Sequence, residues 1–324
     1  MGFCSAESHF FIISQPKKIM SQKVSLVLSS GGCRGLAHIG VIEELLKDGY
    51  EITSISGSSV GSLIGGIYCS GNIKRFTEWV CQLDEVDVFD FMDFTFTGQG
   101  FIKAERFFRS LEEFIGCKTF EELKIPLSVV ATDLTHRSEV VFDKGNLLLA
   151  IRASVAIPSI VTPVLYKDMV LVDGGVINPI PSDCVKRTEG DILVVVDVNA
   201  NIPYEKPTFD AIIFPKKQFS VKRNLFRYIK NNFNLFSDEK PASQETHGYL
   251  SVIDKTFDIM QDQICRLTVM QEKPDISIDI SRHAASTFEF YKAQELIEAG
   301  KIAYRKAKGT KQTHIHHTSQ INKS

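Results

Sequence analysis

A serine between two glycines is the first feature of this sequence that could do chemistry. Residues 57–61 read GSSVG, which fits G-x-S-x-G, with an apolar run before them and small residues after them. A strand that turns sharply into a helix here would hold the Ser59 hydroxyl at the carboxyl edge of a sheet. Such a turn leaves no room for side chains at Gly57 and Gly61. The pattern indicates a nucleophile, although a glycine-rich helix start that only packs on a strand could have the same sequence.

A second glycine-rich turn, residues 30–35 (SGGCRG), follows the first predicted strand. Backbone N–H groups of such a turn can converge on a phosphate or on the oxyanion of an acyl transfer. Ser30 replaces the first glycine of the dinucleotide fingerprint, and no G-x-x-x-x-G-K-[ST] occurs, so the oxyanion role is favoured. A close turn without a ligand is the alternative. Arg34 could steer an anionic head group or form a surface salt bridge.

A serine hydroxyl also needs a group that takes its proton. Asp173, in residues 171–175 (LVDGG), follows a predicted strand, and the two glycines after it would leave its carboxylate little covered. A plain turn would give the same residues. His283 follows the last predicted strand, where hydrolases with the order Ser, Asp, His carry their histidine. His38 and His136 are further candidates, and each histidine could equally be structural or exposed.

The elements that must position these residues alternate along the chain. The predicted strands cover residues 23–30, 52–57, 127–132, 139–143, 169–172, 192–197 and 276–280. The predicted helices cover residues 35–48, 59–69, 73–83, 104–115, 145–153, a stretch around 253–267, and 290–308. The helix around 253–267 repeats apolar residues every three or four positions, as an amphipathic helix does: Ile253, Phe257, Met260, Ile264 and Leu267. Almost wholly apolar strands alternating with helices predict an α/β fold, a three-layer α/β/α arrangement around a mostly parallel central sheet.

The composition is that of an ordinary globular protein. The chain has 324 residues, 44% hydrophobic and 23% charged, with a net charge of −2. This composition excludes the disordered and collagen-like classes of protein. Because the chain has no excess of positive charge, nothing in its charge favours a nucleic-acid partner. Seven cysteines without a CxxC pair argue against a disulfide framework and against a cysteine zinc site. We expect a cytoplasmic protein, or one peripheral to a membrane, because neither a signal peptide nor a membrane span is evident.

The predicted domain spans residues 23–308, after a flexible N-terminal lead (1–22) and before a disordered polar tail (309–324). Within the domain, residues 201–245 show no period and are read as an irregular insertion.

Two segments could meet lipid. Residues 215–230 carry six basic residues and no acid, interleaved with aromatic ones, which suits anionic head groups or a solvated loop. The aromatic stretch 89–101 could line an acyl-chain groove or form a core cluster.

Five segments, taken together and in order, resemble the patatin-like phospholipase family. They are residues 29–40 (SSGGCRGLAHIG), 55–61 (ISGSSVG), 131–134 (ATDL), 152–164 (RASVAIPSIVTPV) and 171–181 (LVDGGVINPIP). One position departs from the family pattern, because Ser30 stands where the family usually has glycine at the start of its loop. If the backbone must approach closely there, Ser30 would weaken the oxyanion site.

The resemblance implies the patatin-like fold and a lipid acyl hydrolase with a Ser–Asp dyad. It makes Ser59 the nucleophile and Asp173 the general base, with an acyl-Ser59 intermediate that water hydrolyses. It implies no metal and no cofactor, and substrates that are phospholipids or lysophospholipids. It places the oxyanion hole in the glycine loop, at Gly31, Gly32, Cys33 and the neighbouring Arg34.

Two other functions stay open at this point. One is a triad carboxylesterase that uses Ser59, Asp173 and His283. The other is an inactive module whose glycine loop binds a lipid or an anion.

Overall fold

The computed structural model describes residues 21–91, 104–158, 160–210 and 249–321, with side-chain packing in the last range described for residues 255–309. The strands are β1 (Lys23–Leu28), β2 (Glu51–Ser58), β3 (Leu127–Asp133), β4 (Ser138–Phe142), β5 (Val164–Tyr166), β6 (Met169–Asp173), β7 (Ile192–Ala200) and β8 (Ile276–Ser281). The helices are α1 (Ala37–Lys47), α2 (Val60–Cys69), α3 (Ile73–Val80), α4 (Glu85–Phe91), α5 (Glu105–Ile115), α6 (Leu147–Ser154), α7 (Tyr249–Glu272) and α8 (Ala293–Ile321).

The strands form one mixed sheet in the order β5-β6-β3-β2-β1-β7-β8, and β4 pairs with β3 beside this path. Strands β3, β2, β1, β7 and β8 are parallel neighbours. Strands β4 and β6 run antiparallel to β3, and β5 runs antiparallel to β6. The predicted, mostly parallel sheet is therefore confirmed, with an antiparallel region beyond β3. The sequence did not predict β5 or α4, because three and seven residues are too few to show a period.

Helices cover both faces of this sheet. In β1, Leu26 and Leu28 belong to the large core that α1, α2 and α8 share. Val27 points to the opposite face and joins a small cluster with Val195 of β7 and Cys265 of α7. Alternate residues of one strand thus pack on opposite helical layers, which confirms the three-layer α/β/α prediction.

Helix α7 forms where the amphipathic pattern predicts it, but its apolar stripe is not buried. Met260 and Leu267, two members of that stripe, are 56% and 60% exposed. The side that reaches the sheet is instead carried by Cys265, with Val269 beside it. The spacing of apolar residues therefore predicted the position of the helix correctly but did not identify the face that packs on the sheet.

Helices α1 and α8 pack closely through glycines. A Cβ added at Gly300 of α8 would lie 2.0 Å from the carbonyl oxygen of Ala37, and one at Gly40 of α1 would lie 2.0 Å from that of Ile297. Helix α8 continues to Ile321, past the end predicted at Lys308 and through most of residues 309–324. It continues because Gly309 is not among the glycines with positive φ, the conformation that commonly ends a helix.

Several predicted segments lie outside the described residues. They include residues 1–20 of the N-terminal lead, residues 92–103 of the aromatic stretch, and residues 211–248, which hold the basic and aromatic segment. Across the described ranges, no helix combines the length and the apolar character that a membrane crossing requires.

The close approach of α1 and α8 predicts a sharp difference between two glycine-to-alanine changes in one helix. Gly300→Ala places a methyl group against a backbone carbonyl that cannot move alone, and we expect a loss of about 1–3 kcal/mol in the free energy of unfolding. Gly309→Ala is the matched control, because a Cβ there meets no atom within 4 Å. It should be neutral, or stabilising by up to about 1 kcal/mol. Urea unfolding measures both, and equal stability of the two variants would contradict the packing.

Candidate active site

The register of β3 brings together two side chains that are distant in sequence. Ser58 of β2 pairs with Val130, and Asp173 of β6 pairs with Ala131, the next residue of β3. Ser59 and Asp173 are therefore neighbours across one strand. The Ser59 hydroxyl donates to Asp173, with Oγ and Oδ2 2.5 Å apart, and both residues are buried.

Ser59 occupies a sharp turn between β2 and α2. Its φ of 53° and ψ of −125° are unusual for a residue with a side chain and project the hydroxyl from the turn. A Cβ at Gly57 would lie 2.5 Å from the Gly61 carbonyl carbon, and a Cβ at Gly61 would lie 2.1 Å from the Leu28 oxygen. The G-x-S-x-G spacing thus reflects two close backbone contacts. The helix that starts after Ser59 also favours negative charge near its N-terminus.

A second serine, Ser154, stabilises the turn that carries Ser59. The Ser59 backbone N–H donates to Ser154 Oγ at 2.9 Å, and Ser154 Oγ donates to the Val130 carbonyl at 2.5 Å. Because the N–H of Ser59 is used here, it does not point at a substrate. Ser154 connects the nucleophile turn to β3, the strand that also carries the pairing with Asp173.

The Asp173 carboxylate is buried and has a partner on each oxygen. Oδ2 accepts the Ser59 hydroxyl, and Oδ1 accepts the Gly175 N–H at 2.7 Å. Burial raises the pKa of Asp173 to about 7, and the hydrogen bonds from Ser59 and Gly175 act in the opposite direction. A carboxyl group with a pKa near neutrality can both take and return a proton at physiological pH.

Contacts to the backbone fix the turn that carries this carboxylate. Thr132 Oγ1 donates to the Asp173 carbonyl at 2.9 Å, and the Asp173 N–H donates to the Ala156 carbonyl at 2.9 Å. On the other side, Gln261 of α7 donates from Nε2 to the Gly175 carbonyl at 2.8 Å. The turn is therefore held from β3, from the segment after α6, and from α7.

The glycine loop lies beside the Ser59 turn, with Gly31 at φ 151° and Gly32 at φ 58°. Only glycine adopts such angles readily, and a Cβ at either position would also clash, with Val198 or with Thr287. Among the described residues, no group accepts a hydrogen bond from the N–H of Gly31 or Gly32. Gly32 and Ser59 line the same cavity.

The structure corrects the expectation for Cys33 and Arg34. The Cys33 N–H donates to the Thr287 carbonyl at 2.9 Å, so it is not directed at a substrate oxygen. The Arg34 guanidinium donates to two carbonyls and to Asn199 Oδ1, at 3.1, 3.0 and 2.7 Å. Arg34 thus binds within the molecule and makes no surface salt bridge to any described residue. Both residues tie the loop to the ends of β7 and β8, because their donors are used there.

Ser30 fits the loop without backbone strain. It is not among the residues with positive φ, so a side chain is tolerated at the position where the family usually has glycine. Its N–H donates to the Pro179 carbonyl at 2.9 Å, and its carbonyl accepts from Asn199 Nδ2 at 2.7 Å. The departure from the family pattern therefore leaves the conformation of Gly31 and Gly32 intact.

None of the three candidate histidines makes a hydrogen bond with Ser59 or Asp173 in the described part of the chain. His38 is buried against the Ser29 carbonyl at 3.0 Å, and burial lowers its pKa to about 4. His136 pairs with Asp133 on its own turn. His283 is exposed and follows β8. Since the Ser59 hydroxyl meets the carboxylate directly, no imidazole stands between them.

An apolar cavity of about 900 Å³, including its open mouth, adjoins Ser59. Its walls come from α2, α3, α4 and α5, from the segment after α6 (Val155, Ile157, Ile160 and Val161) and from Thr287, Phe288 and Phe290. Phe91 of the aromatic stretch lines this cavity, whereas Phe89 belongs to the core. Side chains that contribute to the walls include Leu63, Phe76, Trp79, Val80, Phe107 and Phe108.

One group of potential metal ligands occurs in the described part of the chain. The ligand atoms of Glu139, Asp183 and Cys184 lie within 4.8 Å of one another. The Asn178 amide donates to both carboxylates, at 2.8 and 2.9 Å, so hydrogen bonds already account for the cluster.

Sequence reasoning missed Ser154 and Gln261. Ser154 is a buried polar residue at the end of a mostly apolar helix, LLLAIRAS, and that pattern could have drawn attention to it. Gln261 has no such signal, because its contact with Gly175 depends on how α7 packs, 86 positions further along the chain.

Comparisons with known proteins agree with the motifs. The family model described as "Patatin-like phospholipase" matches residues 26–183. An uncharacterized NTE family protein of Mycobacterium bovis is 29% identical over 330 aligned positions, covering 87% of this chain and 90% of its own. A lysophospholipase of Scheffersomyces stipitis is 28% identical and covers 56% of this chain, which matches 12% of that protein.

Two further matches are more distant or partial. Patatin-like phospholipase domain-containing protein 6 of Mus musculus is 28% identical over 63% of this chain and 16% of its own. Among solved structures, VipD from Legionella pneumophila aligns with 89% of this chain and 66% of its own, at a TM-score of 0.43 and 13% identity. The family model and the sequence relatives lead to one conclusion: residues 26–183 of this chain belong to the patatin-like phospholipase family.

Proposed function

We propose that this chain hydrolyses acyl esters of lipids, of the phospholipase A or lysophospholipase type, through an acyl-serine intermediate. The observation that carries the proposal is the 2.5 Å contact between Ser59 Oγ and Asp173 Oδ2 beside an apolar cavity. A hydroxyl within hydrogen-bond reach of a buried carboxylate has the geometry that nucleophile activation requires.

In the proposed first step, Asp173 takes the proton of Ser59 as Oγ attacks the carbonyl carbon of the ester. The tetrahedral intermediate collapses when Asp173 returns that proton to the departing alcohol oxygen, which leaves the acyl group on Ser59. In the second step, Asp173 removes a proton from a water molecule that attacks the acyl carbon. The acid product leaves, and the proton returns to Ser59.

Negative charge on the ester oxygen needs a partner in both steps. The N–H groups of Gly31 and Gly32 are suited to this role, since no other group in the described residues accepts from them. The N-terminus of α2, directly behind Ser59, adds a favourable field for the same charge. We therefore assign the oxyanion hole to Gly31 and Gly32 and leave Cys33 and Arg34 with a structural role.

The character of the cavity supports a lipid substrate. Its walls are almost wholly apolar, and an acyl chain would be transferred from water into it with a gain of about 0.8 kcal/mol per methylene group. Family membership points to the same substrate class. One relative is named a lysophospholipase, which favours single-chain lipids as the first compounds to assay.

The two alternatives have less support. A triad would need an imidazole between Ser59 and Asp173, and their direct contact leaves no place for one. An inactive binding module would not require the strained turn at Ser59, which is characteristic of functional sites.

Single substitutions in the dyad are expected to abolish hydrolysis. Ser59→Ala removes the nucleophile and Asp173→Asn removes the base, so each should lower kcat/KM for a lysophospholipid by about three orders of magnitude or more. A fluorophosphonate probe should label the wild-type protein at Ser59 and leave Ser59→Ala unlabelled. Kinetics and mass spectrometry of the labelled protein provide the two measurements.

His283→Ala is the control for these variants and should keep most of the wild-type rate, because His283 lies outside the dyad. A near-complete loss in His283→Ala would favour the triad. Full activity in Ser59→Ala would exclude both hydrolytic mechanisms.

The raised pKa of Asp173 predicts the acid side of the pH–rate profile. The base works only as a carboxylate, so kcat/KM should fall about tenfold per pH unit as the pH drops below about 7. An ordinary aspartate, with a pKa near 3.9, would keep the rate constant over this range.

A histidine would also titrate near neutrality, so the assignment needs a control. In His283→Ala and His136→Ala the inflection should stay where it is in the wild-type protein. Two results would show that Asp173 is not the titrating base. One is a wild-type inflection near pH 4 instead of pH 7, and the other is an inflection that disappears in either histidine variant.

A further inference from the structure

Helix α7 exposes four large apolar side chains on one side, with the polar Gln263 between them. Ile259, Met260, Leu267 and Met270 are 64%, 56%, 60% and 67% exposed. Met260 and Leu267 are seven residues apart and Met270 follows three residues later, so these side chains share one side of the helix. Four large apolar side chains, each more than half exposed on one helix, form a patch of the kind that marks an interaction site.

The opposite side of α7 already has partners within the molecule. Cys265 is buried in the small cluster on the sheet, and Gln261 donates to the Gly175 carbonyl at 2.8 Å. Asp262 pairs with Arg282 at 3.5 Å. The outward apolar face is therefore not a second contact with the described core.

Charge is distributed unevenly around this helix. Lys255 and Arg266 are exposed, and each lies four residues before an outward apolar residue, Ile259 and Met270 respectively. Asp262 pairs with Arg282, and Asp258 lies one turn before it on the same side of the helix, where it is exposed. The cations thus border the apolar face, while these two acids lie on the side of the helix that carries Cys265. This complements an anionic surface.

We infer that the outward face of α7 is the surface through which this protein docks on an anionic lipid bilayer. The inference rests on the proposed lipid hydrolysis for its choice of partner. A helix with an apolar face bordered by cations lies in the plane of a membrane interface, with that face among the acyl chains. Lys255 and Arg266 then meet anionic head groups.

Through Gln261 the helix contacts the turn that carries Asp173, so α7 lies next to the dyad, on the face of the sheet opposite to the helices that line the cavity. A second copy of the chain would have to offer an equally apolar surface free of cations, because α7 pairing with itself would bring like charges together.

Vesicle sedimentation tests the inference. Ser59→Ala protein, which cannot hydrolyse the lipid, is mixed with phosphatidylcholine vesicles that do or do not contain phosphatidylglycerol. We expect binding that is stronger with phosphatidylglycerol and weaker at high salt. Adding Leu267→Glu and Met270→Glu should lower the binding constant about tenfold or more, because two carboxylates would then have to enter the interface.

A matched pair of changes controls for the loss of exposed apolar residues. Leu165→Glu and Leu134→Glu alter side chains that are 78% and 50% exposed but lie outside α7, and together they should leave vesicle binding unchanged. Lys255→Gln and Arg266→Gln should lower binding to phosphatidylglycerol vesicles about fivefold for each cation removed. Equal binding by the two glutamate pairs, or no binding by the parent protein, would overturn the inference.

Two further measurements separate the remaining outcomes. If light scattering finds a dimer that Leu267→Glu and Met270→Glu dissociate, and neither form binds vesicles, the face belongs to a second copy and the inference is wrong. With Ser59 intact, that pair should hydrolyse a water-soluble short-chain ester at the wild-type rate. If the wild-type protein hydrolyses no ester but the vesicle results are as expected, the proposed function fails while the docking surface stands.

Discussion

The contact between Ser59 and Asp173 is the interaction on which the interpretation of this molecule depends, and the pairing of β3 produces it. Val130 and Ala131 are consecutive residues of β3, one paired with the strand before the nucleophile and the other with the aspartate. A shift of β6 by one residue would turn Asp173 to the other face of the sheet. The precise register of a short antiparallel pairing thus determines whether the Ser59 hydroxyl meets a carboxylate.

The backbone N–H groups of the glycine loop next to Ser59 and Asp173 fall into two kinds. Some donate to other parts of the protein, and the others are directed at the cavity. Around the glycine loop, protein carbonyls accept from the N–H groups of Ser30 and Cys33, whereas none in the described part of the chain accepts from Gly31 or Gly32. Asn199, at the end of β7, stabilises this arrangement through Arg34 and the Ser30 carbonyl. Unpaired N–H groups are otherwise rare in protein interiors, so those of Gly31 and Gly32 are informative about function.

Local sequence determined much of this fold. The parallel strands could be predicted because each is a largely buried apolar run, and glycine-containing turns follow β1 and β2. The G-x-S-x-G turn could be predicted because steric contacts within a few residues require it. Asp173 was found as a candidate, but the choice between it and His283 needed the sheet pairing, which links residues 42 positions apart. The roles of Cys33 and Arg34 were missed because their partners lie in segments more than 160 residues away. The same limit applies to α7, because the spacing of its apolar residues predicts a helix but does not show which element packs on it.

Gly175 is the link between Asp173 and the outer helix layer, and its amino-acid type matters for that link. Its N–H reaches the Asp173 carboxylate and its carbonyl reaches Gln261, so one residue connects both partners. A glycine has the least intrinsic conformational preference of any residue. The orientation of the Asp173 carboxylate is therefore set by these external hydrogen bonds rather than by the backbone itself. Its alignment is only as rigid as the packing of α7, which supplies Gln261.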